Sequence, residues 1–187
     1  TSIHQVIAGK IFNKLENYVT GKKGPCIPII SPIDVQLDCD DKTILQPDVI
    51  VVCDRDRFKK GIVYGAPDFV VEVLSPSTRK KDKSLKLKKY MDACVREYWI
   101  VDPNKKNIVV YADDGDGDYD IFVYTFDNEV PVRIFDGECK IDFKEIYDYT
   151  FSDAAKTAGI GVVEGYAMPI EAELKAIAIE EFNYLWG

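Results

Sequence analysis

A series of short segments rich in valine and isoleucine constrains the fold more than any other feature of the sequence. Three of them, at residues 33–37, 44–52 and 68–74, follow one another with polar residues, glycine or proline between them. A fourth, at 98–103, ends in proline. Segments of this length and composition favour β-strands over helices. The sequence therefore predicts three consecutive strands and a fourth further along the chain.

Two stretches with helical periodicity flank the three predicted strands in the sequence. Residues 3–19 repeat apolar side chains at helical spacing and are followed by the helix-ending sequence GKKGP. Residues 77–93 follow the capping sequence SPST and carry one apolar stripe on an otherwise lysine-rich helix. The order helix, three strands, helix, strand predicts an α/β domain with a central mixed sheet.

The remainder of the chain predicts additions to this core. Residues 107–126 have the pattern of a β-hairpin around an Asp/Gly turn, and a further strand and a short closing element follow. The composition then changes, and residues 170–186 regain helical spacing. We expect one domain at residues 1–149 and a C-terminal helical appendage at residues 150–187.

The charge and histidine content exclude several functional classes. The chain has 187 residues, with 24 basic and 32 acidic side chains, and its net charge of -8 opposes general electrostatic coating of nucleic acid. His4 is the single histidine, so multi-histidine metal cages and most Ser/His or Cys/His hydrolase sites lack their components. His4 falls on the apolar stripe of the first helix, which predicts a core position.

The cysteines and the hydropathy pattern indicate a soluble cytoplasmic protein. The five cysteines are far apart and form no C-x-x-C pair, which predicts neither a disulfide framework nor a zinc knuckle. No apolar run approaches the ~20 residues of a membrane span, and no signal segment is evident. Since the sequence begins at Thr1, we expect the natural N-terminus to lie outside it.

Two acidic residues inside apolar strands are the strongest candidates for chemistry. An ionised carboxylate in a strand core needs a partner, because leaving it unpaired costs several kcal/mol. An antiparallel register in which residue numbers sum to 120 places Asp48 opposite Glu72. A first hairpin with a sum of 82 places Asp34 opposite Asp48. The three carboxylates would then form a row, with Gln46 on the same sheet face as Asp48.

A row of oxygen ligands without histidine or thiolate suits a hard cation such as Mg²⁺ or Mn²⁺. Such a cation activates water for phosphodiester cleavage. The helix at 77–93 supplies lysines that could complete the site. Lys86 borders its apolar stripe and could reach back to the strand ends, and Lys83 is the competitor.

Several motifs in order make this chain resemble a known family. They are QPDVIVV, GAPDFVVEVLSPST, the pattern Asp82, Lys86, Leu87 and Tyr90, and EYWIVDP. Together they resemble the Uma family of restriction endonucleases, a branch of the restriction-endonuclease-like PD-(D/E)xK superfamily, over roughly residues 3–148. The usual E-x-K lysine is missing, since position 74 is Leu74.

The resemblance implies a restriction-endonuclease-like core with Asp48 and Glu72 as the metal-binding acids and Lys86 as the displaced lysine. It also implies a divalent-metal-dependent endonuclease that acts on DNA. The inferred strand registers add Asp34 and Gln46 as supporting residues. Two alternatives stay open, namely a nuclease-fold binding module without cleavage activity and a nuclease that acts on RNA. A homodimer is a further possibility.

Overall fold

A computed structural model describes residues 2–37, 43–75, 80–113 and 115–151, together with a C-terminal set of helical residues. That set comprises 175, 176, 178–180, 182 and 183. The remaining positions lie outside the described residues, and they include most of the predicted appendage at 150–187.

Three α-helices occur in the described chain: α1 (Ser2–Lys22), α2 (Lys80–Asp92) and α3 (Phe143–Phe151). The first two confirm the helices expected at 3–19 and 77–93. Two short 3-10 turns are also present, Arg55–Arg57 and Arg133–Phe135. None of the helices in the described ranges is long and apolar enough to cross a membrane.

Twelve strands are present in the described chain. They are β1 (Ile27–Ile30), β2 (Val35–Gln36), β3 (Ile44–Leu45), β4 (Val49–Val52), β5 (Phe58–Lys59), β6 (Ile62–Tyr64), β7 (Phe69–Val73), β8 (Glu97–Asp102), β9 (Asn107–Asp113), β10 (Tyr119–Thr125), β11 (Glu129–Val132) and β12 (Cys139–Asp142). The strands β9 and β10 form the expected hairpin.

The central sheet has six strands in the order β1-β4-β7-β8-β9-β10. Its β7–β8 pair is parallel and its other pairs are antiparallel, so the sheet is mixed, as predicted. A second, four-stranded sheet has the order β3-β2-β6-β5, and β11 pairs with β12. We call the four-stranded sheet the small sheet.

Alternate side chains of the central sheet enter two separate cores. Val49, Val71 and Trp99 belong to the core that also contains the apolar face of α1. Their chain neighbours Ile50 and Val70 belong to the core beneath α2 and the small sheet. Both faces of the central strands are therefore covered, which explains their nearly unbroken apolar sequences.

Two strand predictions are wrong. The segment expected as one strand at 44–52 is divided into β3 and β4, which belong to different sheets. Pro47 lies at the division, where its lack of an N–H prevents a continuous ladder. Strand β1 was not predicted from the sequence. It takes the place beside β4 that was expected for β2.

The expectation that the cysteines form no disulfide is wrong for one pair. Cys26 and Cys53 are joined by a disulfide across the β1–β4 pair. Their 27-residue separation hid the contact from sequence reasoning. The disulfide arises because the β1–β4 register pairs Ile27 with Val52. This register places Cys26, just before β1, beside Cys53, just after β4.

Candidate metal-binding and nuclease site

Asp48, the residue just before β4, and Glu72 of β7 lie at the same end of neighbouring strands. The β4–β7 ladder pairs Val49 with Val71 and Val51 with Phe69. Continuing it by one residue places Asp48 opposite Glu72, which confirms the register inferred from the sequence. Directly opposite residues have Cβ atoms about 5 Å apart. The two acidic side chains therefore share one end of the central sheet.

Glu72 is buried and receives two hydrogen bonds from α2. It is 8% exposed, and Lys86 Nζ and Tyr90 OH donate to its Oε1 at 2.7 and 2.8 Å. Burial raises the pKa of the Glu72 carboxyl, and the charge of Asp48 raises it further, while Lys86 and Tyr90 act in the opposite direction. The α2 helix thus supplies the positive charge that a buried carboxylate needs.

Asp48 is held from the other side of the sheet. His4 Nε2, on the first turn of α1, lies 3.0 Å from Asp48 Oδ2. The backbone N–H of Val73 donates to the same oxygen at 2.7 Å. His4 is thus a partly buried, hydrogen-bonded histidine, but its partner is Asp48 of the candidate site rather than a group in the apolar core.

Asp34 and Gln46 adjoin the small sheet, just before β2 and just after β3, and the predicted row of three carboxylates is wrong. The β2–β3 register pairs Val35 with Leu45, so the residue numbers sum to 80 rather than 82. Asp34 is therefore opposite Gln46 instead of Asp48, and Gln46 Nε2 donates to Asp34 Oδ1 at 2.7 Å. Gln46 and Asp48 do not share a sheet face, because they flank the division between the two sheets.

Of the two candidate lysines, Lys86 makes the described contact with the acidic pair. Its Nζ reaches Glu72 from the middle of α2, one turn before Tyr90. The side chain of Lys83 lies outside the described residues.

The donor set fits a hard cation that keeps much of its water. In the described part of the chain, no three His, Cys, Asp or Glu side chains come together as a group able to hold a metal ion. The hydrogen bonds that described residues donate to the acidic pair use Asp48 Oδ2 and Glu72 Oε1. Mg²⁺ and Mn²⁺ bind through one or two carboxylates and several waters, so a pair of carboxylates is a suitable ligand set for either ion.

Sequence reasoning missed His4 and the role of Tyr90. The periodicity of α1 placed His4 on an apolar stripe, and only the packing of the helix end against the sheet brings it to Asp48. Tyr90 was visible in the motif with Lys86, and its spacing of four residues from that lysine was a signal that both point towards one strand.

Comparisons with known proteins agree with this architecture. A putative nuclease belonging to DUF820 from Anabaena variabilis has a similar fold, with a TM-score of 0.61 and 20% identity over 79% of this chain and 81% of that one. An uncharacterized protein from Synechocystis sp. is 31% identical over 132 residues, which are 70% of this chain and 67% of the relative.

The fold is a mixed α/β architecture similar to that of this structural neighbour. The family Uma2, described as "Putative restriction endonuclease", matches residues 1–143. The chain belongs to this family. Its family and its structural neighbour both carry nuclease descriptions, which support a nuclease activity in general terms.

Proposed function

We propose that this protein is a divalent-metal-dependent endonuclease of the PD-(D/E)xK type that hydrolyses phosphodiester bonds in DNA. One observation carries the proposal: Asp48 and Glu72 face each other at the sheet end, and Lys86 donates to Glu72. Membership of the Uma2 family supports the same activity.

In this proposal Asp48 and Glu72 hold Mg²⁺ or Mn²⁺. The bound cation would polarise a phosphate oxygen and lower the pKa of a coordinated water. The protein contributes the position of both carboxylates. His4 and the Val73 N–H fix Asp48, and Tyr90 fixes Glu72. Hydrogen bonds of this kind orient ligands and influence metal affinity.

Lys86 supplies positive charge next to the reacting phosphate. Hydrolysis forms a bond from a water oxygen to phosphorus and breaks the bond from phosphorus to the leaving sugar oxygen. The nonbridging oxygens gain charge on the way, and an ammonium group in place at the start stabilises that charge. Asp34 and Gln46 support the site from the small sheet, where their paired polar groups could order water.

Plasmid nicking tests the catalytic assignment. We expect cleavage by the wild type in Mg²⁺ or Mn²⁺, no cleavage in EDTA, and at least a 100-fold loss in Asp48→Asn, Glu72→Gln and Lys86→Met. Lys88→Met is the matched control, since Lys88 is on the same helix but pairs with Asp92. Equal nicking by Asp48→Asn and the wild type would contradict the assignment.

Thermal unfolding tests the metal separately from cleavage. A cation that binds the folded chain at 100 times its dissociation constant stabilises it by about 2.7 kcal/mol. The midpoint of the wild type should rise with Mg²⁺ or Mn²⁺, and that of Asp48→Asn should not. An equal rise in both proteins would place the cation elsewhere.

The alternatives have distinct outcomes. Metal-dependent cleavage confined to RNA would make the chain a ribonuclease with the same site. Polynucleotide binding without cleavage of duplex, single-stranded DNA or RNA would favour the inactive binding module. Light scattering during size-exclusion chromatography would test whether the chain forms the homodimer that we considered.

A further inference from the structure

Basic residues are concentrated in two short segments of this acidic chain. Residues 55–60 and 79–89 hold 11 of its 24 lysines and arginines. The second segment contains α2, whose Lys86 belongs to the candidate site. The first forms the turn Arg55–Arg57, strand β5 and the connection to β6, and the proposed mechanism gives it no role.

The β5–β6 connection is a tight hairpin with a lysine at its tip. Lys59 pairs with Ile62, so Lys60 and Gly61 form a two-residue turn. Both turn residues have positive φ, 52° for Lys60 and 83° for Gly61. Such turns match the twist of a hairpin and prefer asparagine or glycine rather than lysine at the first position. The sequence therefore places a charge where local conformation would favour another residue.

The register of the small sheet brings this hairpin tip to the catalytic end of the molecule. When the β2–β3 and β2–β6 ladders are extended by one residue, a row crosses the four strands, made of Gln46, Asp34, Ile62 and Lys59. The chain leaves β3 at Gln46 and reaches Asp48 two residues later. Strands are about 4.8 Å apart, so Lys59 is roughly 10 Å from Asp34 across the row.

The row lies on the outward face of the small sheet. Val35, Phe58 and Val63 point into the core beneath the sheet. Because side chains alternate along a strand, their neighbours Asp34, Lys59 and Ile62 point away from that core. Lys59 and Lys60 are exposed, and the ion pairs between described residues use neither of them.

The α2 helix adjoins the opposite edge of the same sheet. Lys89 Nζ donates to Thr43 Oγ1 at 2.9 Å, just before β3. Lysines therefore lie at both edges of the small sheet, on α2 beside β3 and on the hairpin tip beyond β5. Three strand spacings separate β3 from β5 and Thr43 lies three residues along the chain from Gln46, so these two groups of lysines are roughly 17 Å apart.

We infer that the β5–β6 hairpin tip, through Lys59 and Lys60, binds the phosphate backbone of duplex DNA and holds it across the Asp48–Glu72 site. The inference rests on the proposed function for its substrate class. Exposed lysines contact phosphates as point charges and carry no base specificity. The acidic residues on the rest of the surface would confine such binding to the hairpin tip and the adjoining face of the small sheet.

A binding assay in EDTA tests the inference without cleavage. The variant is Lys59→Gln with Lys60→Asn, because an Asn-Gly turn suits the positive φ values and leaves the hairpin intact. The control is Lys140→Gln with Lys144→Gln, which removes the same charge. Lys140 is on β12, close to Arg133, and the Arg133 N–H donates to Glu97. Glu97 is at the end of the central sheet opposite Glu72, so Lys140 is distant from the candidate site.

Fluorescence anisotropy with labelled duplex DNA, single-stranded DNA and duplex RNA of one sequence gives affinity and its salt dependence. Each phosphate contact on duplex DNA contributes about 0.9 to the slope of log K against log salt concentration. The hairpin variant should bind duplex DNA at least about fivefold more weakly at ~100 mM salt, with a slope smaller by about 2. The control should match the wild type.

The outcomes separate this inference from the proposed function. An unchanged duplex slope in the hairpin variant overturns the inference, even if the wild type cleaves DNA. A wild type that binds none of the probes also overturns it. The expected loss of slope together with failed nicking would uphold the DNA surface and refute the nuclease. A loss of slope seen with RNA alone would overturn the assignment to DNA.

Discussion

Glu97 shows how a single buried carboxyl can organise a distant turn. It is fully buried at the start of β8 and accepts hydrogen bonds from Trp99 Nε1 and from the N–H groups of Arg133 and Ile134, at 2.7 to 2.9 Å. The last two are the free donors at the start of the Arg133–Phe135 turn, which has no side-chain cap of its own. Glu97 therefore acts as that cap from another element.

Replacing Glu97 with glutamine should destabilise the protein in a pH-dependent way. An amide nitrogen cannot accept the hydrogen bonds that either carboxyl oxygen accepts here, so we expect a loss of about 1–3 kcal/mol at pH 5. Burial raises the pKa of Glu97 to about 7, above the value of 4.5 for the free group. A raised pKa stabilises the fold below pH 4.5, and that contribution is lost as the pH rises through 7.

The difference in unfolding free energy between the wild type and Glu97→Gln should therefore become smaller from pH 5 to pH 8. Urea unfolding at several pH values measures it. Glu129→Gln serves as a control, because Glu129 is exposed and its pairing with Lys140 is long, at 4.0 Å. A difference that grows with pH would contradict the raised pKa.

Tyr90 offers a test of positioning at the candidate site. Tyr90→Phe removes one hydrogen bond to Glu72 and leaves the ring in place. We expect unfolding free energy to fall by about 1 kcal/mol, and the apparent Mg²⁺ affinity to fall by about tenfold, because Glu72 loses its orientation. Metal titration followed by thermal unfolding measures both. A variant with unchanged metal affinity would limit Tyr90 to packing.

At the scale of elements, local sequence patterns predict which segments form strands better than they predict which strands pair. The segments that became β4, β7 and β8 were predictable because both of their faces are buried and their apolar runs are short. Strand β1 was not predicted, because Pro28 cannot donate to a strand ladder and argues against a strand, although proline is tolerated there, at the edge of the sheet. The Asp48–Glu72 contact was predictable since it depends on one local register.

The link between β1 and β4 gives a prediction at the same scale. The Cys26–Cys53 disulfide closes a loop in the unfolded chain, which is worth about 2–4 kcal/mol. Guanidinium unfolding with and without dithiothreitol should show this loss in the wild type. The double variant Cys26→Ser with Cys53→Ser should match the reduced wild type in both conditions. Peptide mapping that finds Cys53 unbonded would refute the linkage.

At the scale of the whole molecule, the candidate site depends on contacts between layers. His4 comes from the layer on one side of the central sheet, and Lys86 and Tyr90 come from the layer on the other side. Helix periodicity shows which stripe is buried, but it does not show which end of a helix meets which strand. The contact of His4 with Asp48 therefore could not be predicted from the sequence alone, while the acidic pair within the sheet and the approach of Lys86 from α2 could.

The predicted division at residue 149 leads to a final test. Among the described C-terminal residues, Ala178 is buried in the core beneath α2, and the Phe182 ring stacks on Tyr111 of β9 with centroids 6.1 Å apart. If this contact stabilises the domain, Phe182→Ala should lower the unfolding free energy by about 1–3 kcal/mol in a single transition. Glu180→Ala, on an exposed neighbour, should have an effect below about 0.5 kcal/mol. Equal urea midpoints for both variants would instead indicate that residues 150–187 are an appendage whose packing adds nothing to the stability of the domain.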